Sequence, residues 1–307
     1  MPYSYQPLDL VDFFSAFPTE TACEYHLIRV RWPEGMTCRK CGKTEFYPRI
    51  VTRRMYQCRA CLHFNSPTAG TIFHKTRTSL QRWFLAIFLI ASDKRGYSAL
   101  LLSEHIGVDY ATAWAMLQRI RHAMAKRDAQ YQLSESVEMD ELFIGAPAEG
   151  RKRGRGTDQT LVLVAVSFLK GKRDKEYVGF ARLQAVTQVD TATIAQFAKA
   201  VIKPGSTVRT DGLRVYPALE KHGFRHNPHV IRQRKAHIIL PHVHMFISNL
   251  RAFVIGTYHG LGEKHLQQYL DEFCYRFNRR KHHDELFDRL LRACLEKEEM
   301  PFSALTQ

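Results

Sequence analysis

Four cysteines and two aspartates stand out in this 307-residue sequence as groups whose type and spacing could do chemistry. Cys38-Arg-Lys-Cys41, sixteen intervening residues and then Cys58-Arg-Ala-Cys61 has the spacing of a four-thiolate zinc site. Each C-x2-C turn directs two sulfurs at one ion, and four thiolates leave no open position, so Zn2+ held there is structural. Cys23, Cys274 and Cys294 have no such partners and read as small buried residues. Seven cysteines in a chain of this length, four of them clustered, argue against a disulfide scaffold.

The aspartates lie in two strand-like runs. Alternation from Val137 to Gly145 puts Glu138, Asp140 and Leu142 on one face and Val137, Met139, Glu141 and Phe143 on the other. Val208-Arg209-Thr210-Asp211-Gly212 ends a β-prone segment on a second carboxylate, beside a glycine that permits a sharp turn. Strand-end carboxylates are hard oxygen ligands for Mg2+ or Mn2+. Two such ions would activate an attacking hydroxyl and stabilise a leaving oxygen in phosphoryl transfer. Taken singly, either aspartate fits a solvated or capping acid better.

The elements that must position these groups change character along the chain. Residues 8 to 31 read as short helices, with Thr19 a cap before a helix through Arg31. Arg31 to Phe73 is a compact, β-prone, metal-sized module decorated by Arg39, Lys40, Lys43, Arg49, Arg53, Arg54 and Arg59, a basic face that suits DNA phosphate or simply water. Helical spacing returns from Ser79 to Arg127. There Ser98 opens one helix, Gly107 makes a turn, and Asp109 or Thr112 caps a second, as in a helix-turn-helix. The second helix would offer Tyr110, Thr112, Ala113, Gln118, Arg119 and Arg121 to a DNA groove. A plain helical linker is the alternative. Trp114, Leu117 and Ile120 belong to the core.

Beyond Ser136, strand-length apolar runs at 137–144, 161–168, 177–186 and 207–210, with a helix at 191–202, indicate a mixed α/β domain. Helical periodicity resumes from Val243 to Leu295. The division expected is 1–75 for the lead-in and ribbon, 76–130 for the helix-turn-helix and 131–307 for the α/β domain. Lys plus Arg number 45 against 30 Asp plus Glu, a net charge of +15, which points to a polyanionic partner, nucleic acid first. No run reaches the ~20 apolar residues of a membrane span, and the start lacks a signal peptide, so the expectation is a cytoplasmic, nucleoid-associated protein.

In order, the four cysteines, the paired helices, Glu138-x-Asp140-Glu141-x-Phe143-x-Gly145, Thr210-Asp211-Gly212, Pro241-His242-Val243-His244, Ser248-Asn249-Leu250, Gly256-Thr257-Tyr258-His259-Gly260 and Arg276-Phe277-Asn278-Arg279-Arg280 resemble the zinc-ribbon insertion-sequence transposases related to the Merlin superfamily. The resemblance runs from Leu8 to Leu291 and takes in Cys23-Glu24-Tyr25 and Arg31-Trp32-Pro33. It implies an RNase H-like catalytic domain in which Asp140 and Asp211 are the first two members of a metal-binding triad. The third position, 38 residues after Asp211, holds Asn249 where many relatives have Glu. Asparagine offers a neutral oxygen, a weaker ligand than carboxylate.

Glu272 and Glu285 are runners-up that fit a helix surface better. His242 and His244 could place a phosphate or water, or be structural. The loop Arg151-Lys152-Arg153-Gly154-Arg155 is expected on DNA backbone. The activity implied is binding of terminal inverted repeats, metal-dependent cleavage of 3′ ends and strand transfer into target DNA, with at least two protomers on double-stranded DNA. A DNA-binding protein that has lost catalysis and a structure-specific nuclease of the same fold are the alternatives.

Overall fold

Side-chain oxygens decide where most helices begin. Asp9, Thr19, Ser79, Ser98 and Asp190 each accept the backbone N–H three residues on. Asp109 does the same for Thr112, and its second oxygen takes the Thr112 hydroxyl. These caps satisfy donors that have no partner inside the helix. They open α1 (Leu10–Ala16), α2 (Glu20–Arg31), α3 (Leu80–Ser92), α4 (Ala99–Ile106), α5 (Tyr110–Ala129) and α6 (Thr191–Val201). Next come α7 (Pro241–Phe253), which starts on proline, α8 (Glu263–Asn278) and α9 (Leu286–Leu295). The strands are β1 (Tyr56–Gln57), β2 (Phe64–Asn65), β3 (Ser136–Ile144), β4 (Thr160–Lys170), β5 (Glu176–Val186), β6 (Thr207–Thr210) and β7 (Arg225–Pro228). This computed structural model describes residues 8–50, 55–145, 159–229, 239–258 and 261–296. The chain forms two compact units, one from residues 1–123 with 282–307 and the other from Met124 to Lys281.

In the first unit, aromatic rings form the core of the helical part. Phe13 stacks on Phe88 at 4.8 Å between centroids, and Phe17 meets Phe84 edge-on at 5.0 Å. Phe287 of α9 joins all four rings at 5.7 to 6.4 Å. The C-terminal helix therefore completes the N-terminal unit, unlike the expected division at 131–307; its apolar stripe was legible, but the face it covers was not. The ribbon is tied to α2 by a buried ion pair. Glu24, 3% exposed, accepts Arg49 Nε at 2.7 Å and the Tyr56 hydroxyl at 3.0 Å. The Glu20 carboxylate caps α3 through Leu80 N at 2.9 Å and Gln81 N at 3.1 Å.

Between α4 and α5 the chain turns through Gly107 at φ 63, a left-handed position that glycine occupies without penalty. One expectation for α5 fails on burial: Ala113, Gln118 and Arg121 face the interior, Arg121 at 2% exposed. A side chain that is 2% exposed does not present its guanidinium to a base edge, so burial speaks against a groove-reading role for Arg121.

The second unit is a five-stranded sheet in the order β5-β4-β3-β6-β7. β3, β4 and β5 are antiparallel neighbours, while β6 runs parallel to β3 and β7 parallel to β6. That mixed order is the RNase H-like arrangement. One sheet face sends Val137, Met139, Leu163, Ala165 and Val208 against α6 and Tyr216. The other sends Leu142, Ile144, Val162, Val164 and Val166 against α7 and α8. With both faces covered, β4 is buried from Val162 to Phe168, Ser167 included, which is why it reads as an almost continuous apolar run.

Candidate metal centre and active site

The cysteines converge as their spacing requires. Cys38 and Cys61 sulfurs lie 3.6 Å apart, as do those of Cys41 and Cys58, and all four fall within 4.8 Å of one another. Four sulfurs at the ~2.3 Å Zn–S distance define a tetrahedron with edges of about 3.8 Å, so the donor set fits zinc. Local hydrogen bonds shape both turns: Gly42 N donates to Cys38 O at 2.9 Å and Leu62 N to Cys58 O at 3.0 Å. Asn65, 1% exposed, donates its amide to Cys38 Sγ at 3.5 Å and accepts Arg39 N at 2.9 Å. Burial acts to raise the Cys38 thiol, but the N–H groups of Cys41 and Lys40, the Asn65 amide and the Cys61 thiol outweigh it and leave Cys38 at about 6. That favours the thiolate a metal needs. Cys23, Cys274 and Cys294 are buried and separate, as expected.

The aspartates meet through strand register. β3 and β6 pair Glu138 with Arg209; two residues further on come Asp140 in β3 and Asp211, the first residue past β6. Asp211 Oδ1 accepts Leu213 N at 3.0 Å in a turn where Gly212 takes φ 86. Burial pushes the Asp140 carboxyl up to about 7, and the negative charges of Glu141, Asp211 and Glu138 add to the effect against one backbone bond from Glu141 N. Among the described residues neither aspartate has an ion-pair partner, so the local charge is what a divalent cation would neutralise. Tyr216, fully buried, donates its hydroxyl to Glu141 Oε2 at 2.9 Å.

One rung below the aspartates lies a charged node that sequence reasoning missed. Glu138 is fully buried, and its Oε2 accepts the N–H groups of His242 and Val243 at 2.8 and 2.9 Å, which seats the N-terminus of α7 on β3. Arg209 stands 3.7 Å from Glu138 Oε1, packs 4.3 Å over Phe168, and donates to Glu176 at 2.7 Å. His242 Nε2 shares a 2.9 Å hydrogen bond with Glu176 Oε2. Burial raises Glu138, and Arg209 lowers Glu176. The alternation did place Glu138 on the face of Asp140; nothing in the sequence pointed to Glu176, which arrives from a separate strand. Glu138, Glu176 and His242 have metal-ligand types within 4.8 Å, but Arg209 already occupies the position a cation would take.

The other expected site residues divide. Asn249 lies exposed on α7, seven residues beyond His242 and so on the same helical stripe, with its amide 3.2 Å from Met245 Sδ. It is not joined to either aspartate by a hydrogen bond. Glu272 is 1% exposed and locked to Arg276 Nη2 at 2.8 Å, and Glu285 pairs with Arg289 at 2.6 Å. His242 belongs to the node, and His244 is half-buried on α7. Arg119 is half-buried with its Nε enclosed. Arg151, Lys152, Arg153 and Arg155 lie outside the described residues.

Comparison with known proteins bears on the same two regions. Residues 18–63 match the transposase zinc-ribbon domain, and residues 132–278 match the ISXO2-like transposase domain. The chain carries the two domains of a zinc-ribbon transposase. A protein of the transposable element ISH50 from Halobacterium salinarum is 27% identical over 224 residues, 67% of this chain and 71% of the relative. Among solved structures, the pre-cleavage Mos1 transpososome is 13% identical with TM-score 0.29, and the Mos1 strand transfer complex 15% with TM-score 0.29. Each covers 74% of this chain and 82% of the other.

In this transposase the Arg276 to Arg280 segment acts on architecture. Asn278 accepts Ala181 N at 2.7 Å and donates to Ala181 O at 3.1 Å, while Arg280 donates to Gly179 O at 3.0 Å. Gln267 does the same for Ala185 N at 2.8 Å and Leu183 O at 3.2 Å. α8 thus satisfies the outer edge of β5, which would otherwise offer unpaired backbone groups to another chain. Asn278 and Arg279 also hold Asp128 at 2.8 and 2.5 Å.

Proposed function

We propose that this transposase binds the terminal inverted repeats of its element, cleaves the 3′ ends with water and joins the new 3′-hydroxyls to target DNA. The observation that carries the reading is the neighbouring placement of Asp140, midway along β3, and Asp211, just past the end of the parallel strand β6. With Asn249 they would hold Mg2+ or Mn2+, which when bound supplies activation of the attacking oxygen and stabilisation of the leaving one. Asp140 and Asp211 fix the reacting position, and Glu138 seats the helix that carries Asn249. Both steps are in-line displacements at phosphorus, so the same side chains serve water first and a sugar hydroxyl second. Double-stranded DNA is the partner, and two element ends call for at least two protomers.

The test is strand transfer with pre-cleaved ends in Mg2+ or Mn2+. Asp140→Ala and Asp211→Ala are each expected to reduce joined product by on the order of 10²- to 10³-fold while duplex binding persists. Normal joining by either variant refutes the assignment. The outward Asn249, held to Met245, favours one second reading, a DNA-binding protein without catalysis. That reading requires salt-sensitive complexes and no cleavage under any divalent ion. Full joining by Asn249→Ala would remove Asn249 from the site.

A further inference from the structure

Two arginines of the first unit carry charge that no acid among the described residues answers. Arg31, at the end of α2, stacks on the Trp32 ring at 4.6 Å and spends its guanidinium on neutral acceptors, Pro67 O and, at 2.8 Å, Ala69 O. Arg39, in the first C-x2-C turn, is exposed, and its side chain has no hydrogen-bond or ion-pair partner among the described residues. The two charges are close enough that Arg31, already lowered by burial, is lowered further by Arg39, to about 10. The carboxylate of this region, Glu24, is committed to Arg49 and Tyr56.

The arginines open on a cavity of about 500 Å³ bordered by Arg31, Trp32, Thr37, Arg39 and Leu295. Gly70 guards the seat of Arg39. Its φ is +70, which strains any other residue, and a Cβ there would come within 3.1 Å of Arg39 Nη2, so the guanidinium packs directly against this glycine. Arg39 also borders a second cavity, of about 420 Å³, lined among others by Lys75, His63 and the Glu24 that Arg49 already pairs. Two forked guanidiniums, one fixed and one free, beside a hydroxyl and an indole are suited to a phosphodiester and its attached sugar or base. An acid-free pair of this kind costs free energy unless an anion completes it.

We propose that the Arg31–Arg39 cleft seats a backbone phosphate of duplex DNA, with Trp32 against the adjoining nucleotide. This rests on the DNA-binding reading above and makes the zinc-ribbon unit a direct DNA contact. Zinc then has a second consequence, since the turn it closes holds Arg39 opposite Arg31.

The experiment measures binding of full-length protein to a random-sequence 30-base-pair duplex by fluorescence anisotropy over a series of salt concentrations. Arg39→Gln is compared with Lys40→Gln, an exposed neighbour outside the cleft that loses the same charge. Arg39→Gln is expected to weaken binding on the order of tenfold and to lower the slope of log affinity against log salt by about 1, with bound zinc unchanged. Lys40→Gln should do clearly less. Equal effects of the two variants, or an unchanged slope in Arg39→Gln with wild-type binding intact, would overturn the cleft and leave the DNA reading standing. Absence of duplex binding by the wild type would overturn both.

Discussion

Burial pushes the Asp271 carboxyl up to about 6. The single bond from Gln267 Nε2 at 2.8 Å and the charge of Arg182 offset only part of the lost hydration, and Asp128 adds a like charge. An unfolded aspartate titrates near 3.8. Between these values the folded chain holds the proton that the unfolded chain has released, so stability falls as pH rises through that window, and the loss is complete above about 6. Asp271→Asn keeps an oxygen for Gln267 and carries no charge. It is expected to exceed wild type by on the order of 1 kcal/mol at pH 7.5 and to equal it at pH 3.5, read from urea midpoints at the two values. A variant less stable than wild type at pH 7.5 would show that the carboxylate is satisfied after all. None of this is visible in the sequence, where Asp271 is one acid among several on an amphipathic helix. Asp140 and Asp211 stand out in the sequence because strand alternation, and for Asp211 a following glycine, restrict where an acid can point. Asp271 was not, because its surroundings come from Asp128 and Arg182, far away in the chain.

The elements were largely legible, since β3 to β6 and α6 lie within two residues of their expected spans, each bounded by a cap, a glycine or an apolar run. What was not legible is how elements lock together. α7 starts without a capping side chain of its own and borrows Glu138 from β3 for two N–H groups. Glu138→Ala removes that acceptor, leaves Arg209 without one of its two carboxylates and is expected to cost about 3–5 kcal/mol, the usual result of breaking a buried charged pair from one side. Glu138→Gln keeps an oxygen for the N–H groups and should recover more than half of the loss. If α7 is what carries a ligand to the aspartates, Glu138→Gln will also raise the Mg2+ concentration needed for half-maximal strand transfer while duplex affinity stays constant. An unchanged metal requirement in a folded Glu138→Gln protein would make the node purely structural. The same logic explains the miss over Glu272. A helix-surface acid was the expectation, but packing of α8 buries it, and Arg276 on the next turn neutralises it.

At the scale of the whole chain, two units with separate cores predict two unfolding events. The four cysteines lie in the first unit, whose ribbon contributes only short β pieces and is held to α2 by Arg49 and Tyr56 on Glu24. The second unit has apolar clusters on both faces of its sheet and contains none of the four. Zinc bound to a ribbon of this size supplies much of its folding free energy, so a chelator that outcompetes the thiolates should act on one unit only. In calorimetry the expected outcome is two transitions. Chelation lowers one by 10 °C or more, by order-of-magnitude estimate from zinc binding energies, and leaves the other within about 2 °C. The α9 helix sharpens the test, because it follows the second unit in sequence yet packs among Phe13, Phe17, Phe84 and Phe88. Truncation before His282 should therefore lower the zinc-dependent transition, although the deleted residues lie at the opposite end of the chain from the cysteines. A truncation that lowers the zinc-independent transition instead would assign α9 to the sheet unit and undo the division.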